Sequence, residues 1–456
     1  MARSGRSRYP PAVAIVRLRP PLRDLVGGAP SLEVDGRTVA EVVGRLQRQY
    51  PRIAGWVMDE RGSVRRHVAV FVNGSRVGED AAVGSADRIE ILGAISGGAG
   101  GAEVLVGTRK GLFVLRGPRG GPFEVAARRF SGQAVEYATR DPRTGTYFAS
   151  VTHGQFGPRL FLVDDPETKE WDQAKGPMFP EETGTALVRI WTVQAGEEDG
   201  VVWAGVDPAA LFRSEDGGRT WALNQGLWNV PGRDAWNPGA GGLCLHSICP
   251  WPGDSARVAV GISAAGVWVT EDGGESWAPG FTGLVPHYIP EEGRQDATDL
   301  CVHNMHRSPG RPERLFLQFH GGVYRSDDAG ISWTDIGSEG GLPSDFGFPL
   351  AVDPHDPDRA FVVPLRGDFD RVTPEGKVRV YETADAGESW RPLGDGLPQD
   401  HAYLTVLRQA LGHDGRSPLG LYFGAESGEL FGSADDGASW QVAAAHLPPV
   451  LSVRCA

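Results

Sequence analysis

The stretch SEDGGRTW, residues 214–221, recurs in related form four more times along the chain. The other copies are TEDGGESW (270–277), SDDAGISW (326–333), TADAGESW (383–390) and SADDGASW (433–440), at intervals of 56, 56, 57 and 50 residues. Each copy has Ser or Thr first, Asp third, Gly fifth and Trp eighth. A repeat of this period is typical of the blades of a β-propeller.

Each fixed position of the repeat has a structural explanation. The Asp side chain can accept hydrogen bonds from N–H groups of a turn, Gly permits a positive φ, and Trp fills space between neighbouring sheets. The five copies resemble the Asp-box, or BNR, repeat of sialidase-like and YVTN/WD-repeat-like propellers. We therefore expect structural roles for Asp216, Trp221, Asp272, Trp277, Asp328, Trp333, Asp385, Trp390, Asp435 and Trp440.

Strand-like pairs beside the repeats predict seven blades over residues 103–456. The same pairs are present without a repeat in VLVGTRKGLFVL (104–115) and in TYFASV and PRLFLV (146–163). Six blades have an additional inner strand, predicted at 135–139, 187–193, 243–249, 300–306, 349–353 and 403–407. The first blade lacks one, and the C-terminal PVLSVRCA (449–456) fits its place. We expect this strand to close the ring, because closure removes exposed sheet edges.

The composition favours a mostly β protein of two units. The 456 residues include 64 Gly, 34 Pro and 13 Trp, which indicates short strands and tight turns. The apolar run AVAIV near the N-terminus is too short for a signal peptide or a membrane span, so we expect a cytoplasmic protein without a membrane partner. The four cysteines form no CxxC pair and are expected to be free thiols.

Charge is distributed unevenly between the two units. Residues 1–98 contain 15 Arg, no Lys and 10 acidic residues, a net charge of +5. Because the whole chain carries −13, the remainder carries −18. Nucleic-acid binding requires clustered cations, so we expect no nucleic-acid partner for the second unit.

The first segment has the pattern of a compact α+β unit. Strand patterns lie at 12–18, 31–34, 67–74 and 87–92, and one helix is predicted between the second and third. Thr38 and Glu41 form a capping-box pattern, apolar residues follow at helical spacing, and Pro51 ends the helix. The order β-β-α-β-β is that of a β-grasp, or ubiquitin-like, domain.

Residues 12–98 resemble the ubiquitin-like sulfur carriers of the MoaD/ThiS family. The resemblance is carried by the helix with its Pro stop, VFVNG (70–74), ADRIEIL (86–92) and the closing Gly97-Gly98. It implies that an adenylating enzyme activates the carboxylate of the last glycine. In this chain, however, Gly98 is followed by Ala99, and its carbonyl is held in an amide bond.

Two explanations of the glycine-rich stretch at 97–102 are open. A peptidase cleaves after Gly98 and releases an active carrier, or GGAGGA is a flexible linker between two domains. A processing peptidase and an activating enzyme are therefore possible partners. In a further alternative, the propeller is a docking platform for the activating enzyme.

Long loops on one face of the predicted propeller are the expected place for a ligand, because binding residues concentrate on loops held by a rigid scaffold. The longest are 224–242 and 281–299. The candidate ligand-face residues are Trp228, Arg233, Asp234, Trp236, His287, Tyr288, Glu291, Arg294, Asp296, His320, Arg366 and Asp368, with His153 and Glu292 beside them. A solvated rim without a ligand is the alternative.

Three chemistries are compatible with such a surface to different degrees. The Phe-Arg-Ile-Pro start of sialidases is absent, and a shared turn does not imply shared catalysis. A glycosidase could use two of the carboxylates of Asp234, Glu291, Glu292, Asp296, Asp345 and Asp368. No metal site is expected, and the histidines considered for one are His246, His303 and His306.

The sequence thus favours a sulfur-carrier-like domain fused to a non-catalytic propeller that binds an unknown ligand, without a cofactor. The alternative is a sialidase-like or glycoside-hydrolase-type propeller with a vestigial carrier domain.

Overall fold

The computed structural model describes residues 13–18, 26, 31–53, 57, 68–73, 75–78, 80–85, 87–93, 101–238, 241–294, 299–337 and 339–456. The chain divides into two compact units, residues 1–99 and 100–456. None of the helices in these ranges is long and apolar enough to cross a membrane.

In its described residues, the first unit has a mixed sheet packed on a helix, a β-grasp arrangement. Its strands are β1 (Val13–Leu18), β2 (Leu32–Asp35), β3 (Val68–Val72), β4 (Ser75–Val77) and β5 (Arg88–Gly93), in the sheet order β2-β1-β5-β3-β4. Strands β1 and β5 are parallel, and the other neighbours are antiparallel. The core lies between this sheet and helix α1 (Val39–Gln49), whose Val39, Val42, Val43 and Leu46 are buried.

The ends of α1 follow from local sequence signals. Thr38 accepts a hydrogen bond from the backbone N–H of Glu41 at 3.2 Å, which satisfies one free donor of the first turn. The Glu41 carboxylate accepts from the N–H of Arg37, one residue before the position that a capping box predicts. A 3₁₀ turn begins at Pro51.

The described part of the second unit contains seven four-stranded antiparallel sheets. Six are consecutive meanders, β9–β12, β13–β16, β17–β20, β21–β24, β25–β28 and β29–β32, and the seventh has the order β33-β6-β7-β8. The strands are β6 (Ala102–Thr108), β7 (Gly111–Gly117), β8 (Glu124–Arg129), β9 (Ala134–Arg140), β10 (Tyr147–His153), β11 (Gly157–Val163), β12 (Asp172–Gln173), β13 (Arg189–Ala195), β14 (Val202–Asp207), β15 (Ala210–Ser214), β16 (Ala222–Leu223), β17 (Leu245–Trp251), β18 (Asp254–Ile262), β19 (Gly266–Thr270), β20 (Ala278–Pro279), β21 (Val302–Arg307), β22 (Leu315–Phe319), β23 (Gly322–Ser326), β24 (Thr334–Asp335), β25 (Gly347–Val352), β26 (Ala360–Pro364), β27 (Val380–Thr383), β28 (Arg391–Leu393), β29 (Leu411–His413), β30 (Leu421–Gly424), β31 (Leu430–Ser433), β32 (Gln441–Ala444) and β33 (Val450–Cys455). A short helix α2 (Gln225–Trp228) follows β16.

The first strands of the seven sheets contact one another in a closed cycle, β9 to β13, β17, β21, β25, β29, β33 and back to β9. The C-terminal strand β33 pairs antiparallel with β6, from Val450 opposite Thr108 to Cys455 opposite Val104. The second unit is therefore propeller-like, with the two ends of its chain joined in one sheet.

The prediction of an inner strand at 403–407 was wrong, because this segment has no strand structure. The strand of that sheet is instead β29, a few residues later. The intervening residues make bonds to distant sheets: the Arg408 carbonyl accepts from Asn304 Nδ2 at 2.9 Å, and Gln409 Nε2 donates to the His246 carbonyl at 3.0 Å. Both bonds join segments more than 100 residues apart, so spacing along the sequence gave no sign of them.

The Asp-box residues form closed hydrogen-bonded turns between the third and fourth strands of five sheets. In the second copy, Asp272 accepts from Thr270 Oγ1 at 2.7 Å and from the Ser276 N–H at 3.0 Å. Equivalent bonds are made by Asp216, Asp328, Asp385 and Asp435. The Trp side chains at 277, 333, 390 and 440 are buried, and that of Trp221 is half-buried.

Candidate active site in the central cavity

A cavity of about 450 Å³ lies where the first strands of the propeller-like unit meet. Its walls come from distant parts of the chain: Arg109, Glu136, Arg189, Trp191, Gly241, Ser263, Cys301, His303, His320, Phe346, Phe348, Asp368, Phe369, Arg371, Leu407, Arg408, Gln409 and Leu451. The volume suits a small ligand or one end of a larger one.

Arg408 is the unusual residue of this cavity. Its side chain is 8% exposed, and its guanidinium lies 5.1 Å from the Trp191 ring centroid and 5.9 Å from that of Phe348. One nitrogen contacts Cys244 Sγ at 3.7 Å, and Nε has no hydrogen-bond partner. Among the residues that the structure describes, no carboxylate forms an ion pair with it. A buried guanidinium without an ion pair is desolvated, and binding of an anionic group would stabilise it.

Carboxylates lie at two places on the cavity wall. Glu136 is 3.7 Å from Arg189, measured from Oε1 to Nε, and its side chain is 12% exposed. Asp368 is more exposed, with Oδ2 at 4.0 Å from Nε2 of His320. Asp207, opposite Arg189 in the β13–β14 pair, lies close by, and burial raises the pKa of its carboxyl group.

Aromatic side chains form much of the remaining wall. Trp191 stacks against Arg189, with the guanidinium 4.8 Å from the ring centroid. Phe346 and Phe348 contact each other edge to face, with ring centroids 5.2 Å apart. Phe369 is 98% exposed, so its ring is free to contact a ligand at this cavity.

A cysteine and two histidines also meet at the wall. Potential ligand atoms of Cys301, His303 and His320 all lie within 4.8 Å of one another. Nδ1 of His303 is 2.6 Å from the Gly347 carbonyl, which can only accept, so Nδ1 carries the proton. Burial lowers the pKa of His303 well below its usual value and raises the pKa of the Cys301 thiol.

Of the predicted ligand-face residues, His320 and Asp368 line the cavity. Tyr288 lies behind His320, with ring centroids 4.3 Å apart, and its hydroxyl accepts from the Cys301 N–H at 3.0 Å. The hydroxyl donates to the Asp299 carbonyl. Tyr288 therefore positions wall residues.

Arg233, Trp228 and Trp236 form a separate cluster. The Arg233 guanidinium lies 3.8 Å from the Trp228 ring centroid and 4.8 Å from that of Trp236. Burial lowers the pKa of Arg233 to about 10, with the Asp234 charge acting in the opposite direction. These aromatic faces are covered by their own arginine and none of these residues is among those that line the cavity.

The other candidates do not converge with the cavity in the described part of the chain. His287, Glu291 and Glu292 are exposed, and Arg294 Nε donates to the Ile289 carbonyl at 2.9 Å. Arg366 Nη1 lies 3.1 Å from Asp370 Oδ2 in an ion pair. Asp345 lies at the surface, and partial desolvation of its carboxyl group raises its pKa. The His153 ring packs against the Phe156 ring, with centroids 4.7 Å apart. Asp296, Gly97 and Gly98 lie outside the described residues.

The histidines considered for a metal site are separated by the structure. His303 joins Cys301 and His320. Both ring nitrogens of His246 are engaged, Nδ1 with Ser247 Oγ at 3.0 Å and Nε2 with the Val302 carbonyl at 2.9 Å. His306 lies outside the group, and burial lowers its pKa to about 3.

The sequence reasoning missed Glu136, Arg189 and Arg408. The first two are charged residues inside the predicted strands VEYAT and LVRIWTV, which was an available signal because charges in buried strands need a partner or a function. Arg408 gave no such signal, since the segment before it was interpreted as a strand.

Comparison with known proteins supports two different relationships for the two units. Residues 16–98 match the ThiS family, so the resemblance of this segment to MoaD/ThiS proteins is confirmed. The oligoxyloglucan-reducing end-specific xyloglucanase of Emericella nidulans is 28% identical over 223 residues, 42% of this chain. The match spans 25% of the length of that curated relative.

Solved structures similar to parts of the chain include the following two. An ancestral GH74 enzyme has 15% identity and a TM-score of 0.45, with 77% of this chain and 40% of that chain covered. CysO from Mycobacterium tuberculosis has 30% identity and a TM-score of 0.17, with 18% of this chain and 99% of that chain covered.

The expectation of a non-catalytic propeller was wrong. It is contradicted by the similarity to a xyloglucanase, whose name describes an enzyme. The carboxylates considered in the sequence lie in loops, whereas Glu136 on the cavity wall lies within the first strand β9.

Proposed function

We propose that residues 100–456 are a seven-bladed β-propeller hydrolase of the glycosidase type, acting on an acidic carbohydrate in the central cavity. The seven sheets and the closed cycle of first strands support the blade count. The relationship to a xyloglucanase supports the reaction class. The observation that carries the proposal is Arg408, a buried guanidinium between two aromatic rings in the wall of the cavity.

An acidic sugar fits these groups better than a neutral one. Its carboxylate would accept charge-assisted hydrogen bonds from Arg408, for which the described residues provide no carboxylate partner. The apolar faces of a sugar ring would contact the aromatic side chains, among which Phe369 is almost fully exposed. A neutral sugar would leave the guanidinium desolvated and unpaired.

Glu136 and Asp368 are the proposed catalytic carboxyl groups. Glycosidases use one carboxylic acid to protonate the leaving oxygen and a second carboxylate as base or nucleophile. Both residues line the cavity, on walls built by different parts of the chain. Glu136 Oε1 lies 3.7 Å from Nε of Arg189, and Asp368 Oδ2 lies 4.0 Å from Nε2 of His320, so each carboxyl group has a basic side chain beside it.

The test is an activity assay on the full-length protein with two substrate classes, xyloglucan oligosaccharides and oligosaccharides containing uronic acids. We expect cleavage of the acidic class, detected by mass spectrometry of the products. Glu136→Gln and Asp368→Asn should each lower kcat about 10²–10⁴-fold. Glu124→Gln, on the exposed outer strand β8, is the matched control and should be unchanged. Absence of cleavage in both classes, or variants as active as the control, would overturn the proposal.

A second function is proposed for the first unit, a sulfur carrier that is activated at Gly98 after cleavage. The match of residues 16–98 to the ThiS family supports it, because that segment ends at the second glycine of the pair. Activation requires a free carboxylate, so a peptidase must act before the adenylating enzyme. Both enzymes are proposed partners.

Intact-mass measurement on protein from its native cells tests this second function. We expect a fragment that ends at Gly98, and we expect a 1–98 polypeptide to be adenylated by an activating enzyme of the same cells. Gly98→Ala should block the transfer, and Gly100→Ala, in the second glycine pair, is the control. If the native protein is always full length and the 1–98 polypeptide is never adenylated, the glycines are a linker.

A further inference from the structure

Strand geometry brings a thiol and two imidazoles to one wall of the cavity. Cys301 and His303 both line the cavity and their ligand atoms lie within 4.8 Å of each other, while Val302 between them is fully buried in the core. His320 directly follows β22, and its backbone N–H donates to the Cys301 carbonyl at 3.0 Å. The three ligand positions are thus fixed by neighbouring strands of one sheet.

We propose that Cys301, His303 and His320 bind a divalent metal ion of the zinc class. One thiolate and two imidazoles are a ligand set that zinc prefers. In a tetrahedral site with zinc bonds of about 2.0–2.3 Å, ligand atoms are about 3.3–3.6 Å apart. The present limit of 4.8 Å requires the side chains to move inward by about an ångström, within the range of a rotamer adjustment.

Contacts outside the three ligands hold them in orientation. Nδ1 of His303 donates to the Gly347 carbonyl, so Nε2 is the unprotonated nitrogen of the neutral ring. A backbone carbonyl on the other ring nitrogen is a common support for a metal-binding histidine. Tyr288 stacks on His320 and accepts a hydrogen bond from the Cys301 N–H. Each proposed ligand therefore has a fixed partner.

The charges of the site are compatible with a cation once the thiol is deprotonated. Metal binding replaces the thiol proton, which leaves to solvent, with a metal–sulfur bond. The thiolate and the nearby Asp368 carboxylate together offset the charge of a divalent ion, and Arg408 remains available for the acidic substrate. Three protein ligands leave one coordination position open. This site goes beyond the proposed hydrolase, because the carboxyl mechanism proposed above does not use a metal.

The experiment strips the full-length protein of metal by dialysis against a chelator, adds zinc or cobalt alone, removes the excess and measures the metal that stays bound. We expect one zinc ion per chain by elemental analysis. Cobalt alone should give a thiolate-to-metal charge-transfer absorption. Cys301→Ser should remove that absorption and weaken zinc binding at least about tenfold, and His320→Gln should also weaken it. Cys455→Ser is the matched control, because Cys455 is also a half-buried free thiol but lies on β33 outside the group.

A second measurement keeps the proposal falsifiable if a variant does not fold. Zinc should slow alkylation of Cys301 in the unmodified protein without slowing that of Cys455, as followed by peptide mass spectrometry. Absence of stoichiometric zinc and cobalt, unchanged binding in Cys301→Ser, or equal alkylation of Cys301 with and without zinc would overturn the site. Metal binding can succeed while carbohydrate hydrolysis fails, so the two proposals are separable.

Discussion

The Asp-box turns and the central cavity both collect polar side chains, but they satisfy them in different ways. In the turn at 270–277, the Asp272 carboxylate is bonded by Thr270 and Ser276, all within one short stretch. In the cavity, Arg408 meets Trp191 and Phe348 from other sheets and has no ion pair among the described residues. A locally satisfied polar group stabilises the fold, whereas an unsatisfied buried one indicates a ligand.

The difference predicts opposite responses to mutation. Removal of an Asp-box residue or of the closing strand β33 should lower the stability of the fold. The activity of the molecules that remain folded should be unchanged. Removal of a cavity group should change binding and leave stability nearly unchanged. The following experiments compare the two regions in order of decreasing effect.

Deletion of residues 449–456 should have the largest effect on stability. Strand β33 is the first strand of its sheet, and without it β6 and the neighbouring first strands lose their pairing and contacts. We expect an aggregated or unfolded second unit, measured by solubility and circular dichroism during heating. Removal of Ala456 alone, after the strand, is the control. A truncated chain that melts like the complete one would show that closure is not needed.

Trp277→Ala should lower the free energy of unfolding by about 3–5 kcal/mol, the usual cost of a large-to-small change at a buried aromatic site. Trp277 is 9% exposed, and its Nε1 donates to Asn224 Oδ1 at 3.0 Å. Trp221→Ala is the matched control, because Trp221 occupies the same place in another turn but is only half-buried. Its substitution should lower the free energy of unfolding by a smaller amount. Denaturant unfolding checks the difference. Loss of ligand binding with unchanged stability would contradict the structural role.

Arg408→Met should weaken ligand binding and leave the stability of the fold nearly unchanged. Affinity for the acidic carbohydrate should fall about tenfold or more, since hydrogen bonds to charged groups contribute about 1.5–3 kcal/mol. Stability should change little, because an apolar side chain removes a buried charge that lacks an ion pair. Arg307→Met is the matched control: Arg307 is also 8% exposed but donates to the carbonyls of Cys249 and Pro312. The control should lose stability and keep affinity, measured by calorimetry and unfolding.

The N-terminal unit was predictable because its signals are local. Thr38 and Pro51 bound the predicted helix, and the structure has it at Val39–Gln49. The predicted last strand at 87–92 is found as β5, Arg88–Gly93. The helix and the strand each depend on hydrophobic spacing and capping residues within about ten positions. Tertiary contacts therefore did not alter their bounds.

The cavity could not be predicted in the same way. Alternation in YLTVL at 403–407 was interpreted as an inner strand, but hydrogen bonds from Asn304 and to His246 hold residues 408 and 409 near distant sheets. The Cys301–His303 spacing was visible in the sequence, while the arrival of His320 beside them depends on the pairing of β21 with β22. Long-range contacts decide such sites, and a single sequence does not contain their distances.

Asp272→Asn should have the smallest effect and one that depends on pH. Hydrogen bonds from Ser276 and Thr270 hold the pKa of Asp272 well below its usual 3.8, although the carboxylate is exposed. A lowered folded-state pKa contributes stability above 3.8, and this contribution is lost as the pH falls through the folded-state value. At neutral pH the variant should therefore be less stable by at most about 1 kcal/mol, since water screens an exposed group. The difference should shrink as the pH falls below 3.8, and Glu275→Gln, which removes an exposed charge in the same turn, is the control. Unfolding curves across this pH range provide the measurement, and a difference that stays constant with pH would mean that the Asp272 charge does not stabilise the turn.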